Sequence, residues 1–284
     1  MTVADRPTTM RQVIHDAAEV LAAAGVGSPR VDAELLAAHV LGIERGRVAF
    51  ADADAAFVAA YDDLISRRAA RVPLQHLTGT AAFGPLTVHV GPGVFIPRPE
   101  TESLLEWALA QPLSGDPVIV DLCTGSGALA LALASAFPTA RVIAVDDSEE
   151  ALAYARRNAV GSPVEVIRAD ATAPDLLTEL DSTVDLVVSN PPYIPESAQL
   201  EPEVADHDPA HALFGGPDGM AVIDRLVGVA ARLLRPGGGC AVEHDDTTSD
   251  RTVDSFVRSG AFVDVTARHD LAGRARFVTA VRTG

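Results

Sequence analysis

The chain has 284 residues, 48% of them hydrophobic and 21% charged, with a net charge of −17. That composition is globular, and its acidity argues against a broad phosphate-binding face while favouring a partner with exposed basic groups. All 22 basic residues are arginine, which excludes the lysine-dependent P-loop and Schiff-base chemistry.

From about Thr8 to Arg71 apolar residues recur at helical spacing, with breaks at Gly25, Gly27-Ser28-Pro29, Gly42 and Gly46. The spacing predicts a helical domain over residues 1–76. Ala17, Ala18, Leu21 and Ala22 are expected on one face of its first helix, and Leu35, Leu36, His39 and Val40 on one face of a later one. His39 reads there as a packed core histidine rather than a ligand. Between residues 77 and 97, Gly79, Gly84-Pro85 and Gly91-Pro92-Gly93 punctuate short alternating runs such as Leu86-Thr87-Val88-His89-Val90. That pattern predicts a β-hairpin linking two domains.

Over residues 98–284 strand, turn and helix alternate, which predicts an α/β domain with a parallel sheet covered on both faces. Strands are expected at 118–122, 141–145, 164–167, 184–189, 240–243, 262–267 and 277–281. Residues 128–134 alternate Ala and Leu, a strand-like period. Both are strong helix formers and the run follows a glycine turn, so a helix is expected. No apolar run is long enough to span a bilayer. The start, Met1-Thr2-Val3-Ala4-Asp5-Arg6-Pro7, lacks a basic-then-apolar leader pattern, so a cytoplasmic location is expected. Cys123 and Cys240 form no disulfide framework.

Two segments carry chemistry. The first is the strand 118–122 running into Cys123-Thr124-Gly125-Ser126-Gly127, a turn whose glycines let backbone N–H groups approach a ligand beside a helix N-terminus. Asp146 closes the next strand about 20 residues on, where a carboxylate can take both hydroxyls of a ribose. NAD and S-adenosylmethionine (SAM) share this logic. Asp121 before the Thr-Gly-Ser-Gly turn favours SAM, as does the second segment.

That segment is Asn190-Pro191-Pro192-Tyr193 at the end of the strand 184–189. Two prolines stop the hydrogen-bonding ladder and stiffen the chain at the carboxyl edge of the sheet, where ligands sit in such folds. The side-chain oxygen of Asn190 and the carbonyl of Pro191 can accept the two hydrogens of a flat NH2 group, and Tyr193 offers an aromatic face. Residues 194–217 lack clear periodicity and are too long for an idle connection, which suggests part of a substrate mouth. Within them Asp206-His207-Asp208 and His211 read as a solvated loop rather than metal ligands, and no metal is expected.

Nearly end to end, the chain resembles the release factor glutamine methyltransferases. Besides the Asn-Pro-Pro-Tyr motif, the resemblance runs through Arg71-Val72-Pro73-Leu74-Gln75-His76-Leu77-Thr78-Gly79 and Phe95-Ile96-Pro97-Arg98-Pro99-Glu100-Thr101-Glu102. It continues through Ala212-Leu213-Phe214-Gly215-Gly216, Arg235-Pro236-Gly237-Gly238-Gly239 and Asp270-Leu271-Ala272-Gly273-Arg274. It implies a Rossmann-like SAM-binding domain with a seven-stranded, mostly parallel sheet and a reversed last strand. The implied reaction is methylation, from SAM, of the side-chain nitrogen of the glutamine in the Gly-Gly-Gln loop of peptide chain release factors.

By the same resemblance, Cys123, Thr124, Gly125, Ser126 and Gly127 cradle the methionine part of SAM and Asp146 holds its ribose. Asn190 lies between cofactor and substrate, Pro191, Pro192 and Tyr193 shape the glutamine slot, and Phe95 and Arg98 line the cofactor pocket. Asn190 and Pro191 are the expected catalytic groups. Two positions depart from the family: Cys123 stands where Gly is usual, and Ala171 follows Asp170 where a larger side chain often packs on adenine. Glu243-His244-Asp245 is assigned no role. The competing readings are a ribosomal-protein glutamine methyltransferase, an exocyclic-amino RNA or DNA methyltransferase, an NAD oxidoreductase and a non-catalytic binding module on the translation machinery. Acidity and residues 95–102 weigh against nucleic acid, and no direct nucleic-acid or membrane binding is expected.

Overall fold

The computed structural model describes residues 9–284, so the predicted N-terminal start at 1–7 and the residue Thr8 lie outside the described residues. The chain forms two compact units. Among the described residues, one holds Thr9 to Thr80 together with Glu201–His207; the other holds Ala81–Leu200 and Asp208–Gly284. The first expected boundary, after residue 76, therefore falls four residues later. The helix Pro202–His207, expected within the α/β domain, belongs to the first unit.

In the first unit the helices Met10–Ala23, Pro29–Leu41 and Ala55–Ala69 bury Ile14, Leu21, Leu36, Tyr61 and Ile65 in one core. Thr9 caps the first helix through the N–H of Gln12, and Gly42 ends the second in a left-handed conformation. Two expectations fail here. His39 and Ala22 are exposed. The buried stripe of the second helix runs through Ala33, Leu36 and Ala37, which turns His39 in the last turn outward. Asp32 enters that stripe and is paired with Arg68 at 2.7 Å, while Arg68 and Arg71 also reach Glu203 at 3.0 and 2.9 Å. This pairing holds the helix Pro202–His207 within the first unit.

The hairpin strands β1 (Thr80–Phe83) and β2 (Leu86–His89) come next, all but Thr80 within the second unit. Ala81, Phe83 and Val88 of the hairpin are buried in the same core as Ile119 and Leu133. The hairpin is thus a wall of this unit. The main sheet holds β3 (Val118–Leu122), β4 (Arg141–Asp146), β5 (Glu165–Arg168), β6 (Val184–Ser189), β7 (Leu234–Glu243), β8 (Phe262–His269) and β9 (Ala275–Arg282). Their order is β5-β4-β3-β6-β7-β9-β8, parallel except where β9 runs against β7 and β8. This is the expected Rossmann-like sheet with its last strand reversed.

β7 begins six residues earlier than the apolar run predicts. Leu234 pairs with Val184 ahead of an irregularity, so sheet pairing draws the Arg-Pro-Gly-Gly-Gly segment into the strand. The Ala/Leu run forms the helix Ala128–Ala136, buried along Ala128 to Ala134 because it lies under the sheet. No helix among the described residues is long and apolar enough to cross a membrane.

Candidate active site

β3 sits between β4 and β6, so the chain reverses its winding there and opens a crevice at the carboxyl ends of these strands. A cavity of about 360 Å³ occupies that crevice, within the size range of small-molecule sites. Both predicted segments meet in it. Cys123, Thr124, Gly125 and Ser126 form one wall with Asp146, and Asn190, Pro191, Pro192 and Tyr193 form another.

The glycine turn is tied down by two acids, one buried and one half-buried. Asp121, within β3, is fully buried, and its Oδ2 accepts the Thr124 hydroxyl at 2.6 Å and the Ala130 N–H at 3.1 Å. Burial pushes its carboxyl up to about 7, against the pull of those two donors. Asp146 accepts the Gly125 N–H at 2.8 Å on Oδ2 and the Ser148 N–H at 3.0 Å on Oδ1. Burial raises its pKa as well. Ser148 caps the helix Glu149–Asn158 through the Ala151 N–H.

Gly125 has φ +57°, and no atom lies within 4 Å of where its Cβ would stand. The backbone is thereby laid open to the cavity. Cys123 also takes a left-handed φ of 61°, a conformation that costs a non-glycine residue about 1 kcal/mol. Its thiol is pushed well above the ordinary cysteine range by burial, then by Asp146 and Asp121. Gly127 caps the helix Ala128–Ala136 behind the wall rather than lining it. These features fit a nucleoside-bearing cofactor. A carboxylate with lone pairs to spare faces a ribose-sized space beside an open backbone turn, and Phe83, Leu129, Ala171 and Val222 supply apolar surface.

The second wall is braced from behind. Ser189 donates to the Leu122 carbonyl at 2.7 Å and joins the ends of β6 and β3. Ile194 pairs with Phe214 in a parallel bridge: its N–H donates to Leu213 at 2.8 Å, and Gly215 N–H donates back to Ile194 at 3.0 Å. Within the cavity the Asn190 amide nitrogen donates to Thr101 Oγ1 at 3.1 Å. That bond leaves the amide oxygen for the cavity. Among the described residues no backbone N–H closes on the Pro191 carbonyl. Tyr193 turns its hydroxyl inward to Glu243 Oε1 at 2.8 Å.

Arg98 does not line the cavity. Its guanidinium lies 4.8 Å from the centre of the Phe95 ring, which does, and pairs with Asp208. Asp208 is thus buried rather than solvated, while Asp206 and His207 belong to the other unit. The segment 194–217 supplies Ile194, Pro209, His211, Ala212 and Leu213 to the cavity wall. Thr101 stands in the 95–102 motif with no role of its own predicted there, and the sequence assigns His211, Arg225 and Glu243 no part in the site. Their part in the site comes from contacts across the sequence, although an acid closing the apolar strand that ends at Glu243 was a visible signal.

The sequence matches the description of the PrmC N-terminal domain over residues 12–79 and of the methyltransferase small domain over residues 86–207. It is 71% identical to the release factor glutamine methyltransferase of Mycolicibacterium smegmatis, covering 97% of this chain and 98% of that one. To the protein of that name from Mycobacterium tuberculosis H37Rv it is 63% identical, with coverages of 97% and 92%. The crystal structure of a methyltransferase from Pyrococcus furiosus shares the fold, with a TM-score of 0.53 at 19% identity over 72% of this chain and 92% of that one.

Proposed function

The chain belongs to the release factor glutamine methyltransferase family, and on that premise we propose that it methylates the side-chain nitrogen of the glutamine in the Gly-Gly-Gln loop of peptide chain release factors. One observation carries the reading. The Asn190 amide is turned by Thr101 so that its oxygen is left for the cavity that also holds the glycine turn and Asp146. Bound SAM supplies a methyl group on a positively charged sulfur, open to attack by a nitrogen lone pair.

Asp146 takes the ribose hydroxyls, and residues 123–126 hold the amino-acid end through backbone groups. The apolar surface of Ala171 and Val222 receives the adenine. An amide nitrogen is a poor nucleophile because its lone pair is shared with the carbonyl. Asn190 Oδ1 and the Pro191 carbonyl accept its two N–H groups, which fixes the nitrogen in a single orientation and places its lone pair toward the methyl. The same two acceptor dipoles stabilise the positive charge that develops on nitrogen. One of the two protons they hold is then lost to water, so no strong base is needed.

Tyr193 closes one side of the slot with its ring. The helical first unit supplies further surface for the factor, and the acidic chain suits a partner with exposed basic groups. Incubation with labelled SAM and a purified release factor, followed by mass mapping, tests the proposal. A single methyl on the Gly-Gly-Gln glutamine is expected. Label in nucleic acid or in a ribosomal protein, with none on the factor, overturns it.

A further inference from the structure

Asn158, the last residue of the helix Glu149–Asn158, is half-buried and does not line the cavity, yet its amide is bonded to two of the cavity's supports. Its Oδ1 accepts the His89 N–H at 2.7 Å, and its Nδ2 donates to the His89 carbonyl at 3.0 Å and to the Ser126 carbonyl at 2.9 Å. A carboxamide has one acceptor oxygen and two hydrogens to give, so this set uses both hydrogens and fixes which way the amide points. His89 ends β2, and the chain beyond it supplies Gly93, Phe95 and Pro97 to the cavity wall. Ser126 belongs to the glycine turn. Its peptide with Gly127 is held at both ends, the carbonyl by Asn158 and the Gly127 N–H by the Thr124 carbonyl at 2.9 Å. The same helix meets the hairpin exit one turn earlier, where the Tyr154 hydroxyl donates to the Pro92 carbonyl at 3.4 Å.

We propose that Asn158 is a positioning residue for the cofactor, a clamp that holds the hairpin exit and the glycine turn at one fixed spacing; this rests on the reading of the cavity as the SAM site. Ser126 is only 2% exposed, so without the amide its carbonyl is left with a desolvation cost that the turn relieves only by shifting. A shift there moves the wall at residues 123–126 relative to the wall at Gly93 and Phe95, and a cofactor that touches both loses contact with one. The Asn190 amide is held separately, by Thr101. Asn158 therefore governs how tightly SAM is held and leaves the transfer step itself alone.

The test compares Asn158→Ala and Asn158→Asp with the unaltered enzyme. The readouts are SAM affinity by calorimetry, KM for SAM and kcat on a purified release factor, and melting temperature without SAM. Asp keeps the shape of Asn and the acceptor for the His89 N–H, but its carboxylate faces two carbonyls with no hydrogen to give. Both variants should weaken SAM binding and raise KM for SAM at least about tenfold, Asp no less than Ala, with kcat at saturating SAM within about threefold. The proposal is overturned if either variant binds SAM within about twofold of the unaltered enzyme, if Asp binds it more tightly than Ala, or if kcat falls in step with SAM affinity. A lower melting temperature with SAM affinity unchanged also overturns it, as does failure of both variants to fold, because Asn158 then holds the fold rather than the pocket. If the unaltered enzyme binds no SAM, the reading of the cavity fails first; SAM binding that both variants share in full removes the Asn158 role alone.

Discussion

Gly215 lies outside the Asn-Pro-Pro-Tyr motif, yet its backbone is pressed against it. A Cβ at Gly215 would stand 2.6 Å from the Pro192 carbonyl oxygen, 2.7 Å from that of Gly219 and 2.9 Å from the Tyr193 Cα. All three are backbone atoms, so no side chain can swing aside. Carbon and oxygen ordinarily approach no closer than about 3.3 Å, so Gly215→Ala must push the Pro192 peptide by roughly 0.7 Å. A displacement near 1 Å of positioning groups costs about a hundredfold in rate, or about 3 kcal/mol of barrier. The overpacking itself should cost about 1–3 kcal/mol of stability. None of the three atoms nearest the new Cβ belongs to the glycine turn at 123–127, so SAM affinity should hardly change. The assay is turnover on a purified release factor at saturating SAM, with calorimetric SAM binding and a thermal melt on the same sample. Turnover within a factor of about three of the unaltered enzyme would refute the claim that this loop positions the motif.

Three further outcomes are expected. In Gly125→Ala the new methyl meets no protein atom and enters the cavity, so SAM affinity should fall about tenfold or more while the melting temperature drops only by the cost of a left-handed alanine, about 1 kcal/mol. Because the Asp121 carboxyl is raised to about 7 in the folded chain, it contributes stability below its ordinary range and loses it as pH rises through 7. Asn at this position cannot ionise, so the melting temperature of Asp121→Asn relative to the unaltered protein should climb between about pH 5 and pH 8, by the equivalent of about 2–3 kcal/mol; a flat difference would contradict the assignment. Cys123, with its thiol raised by burial, should resist alkylation at about pH 8 in the folded protein and react on unfolding, as mass spectrometry would show.

The sheet was legible because its strands are short apolar runs between turn residues. Those at 118–122 and 184–189 form with the predicted bounds, and the Ala/Leu run became a helix as composition required. The strand start at Leu234 was not legible, since a Pro-Gly-Gly-Gly stretch has no strand preference and is held by pairing with β6. His39 was misplaced because several small alanines blur which side of the second helix is apolar.

The two walls of the site were readable as contiguous motifs. Their supports were not. Thr101 reaches Asn190 across 89 residues, and Glu243 reaches Tyr193 across 50. Contacts of that kind leave no trace in local spacing. Arg98 shows the converse: it stands in a motif, yet its charge is spent on Asp208 and on the Phe95 ring rather than in the cavity.

The most direct measurement is single-turnover methyl transfer by Asn190→Ala at saturating SAM, with SAM affinity determined separately. Loss of the acceptor should slow transfer by two orders of magnitude or more while SAM affinity stays within a few-fold. Near-normal transfer would contradict the account, because the glutamine nitrogen would then be oriented by something other than Asn190.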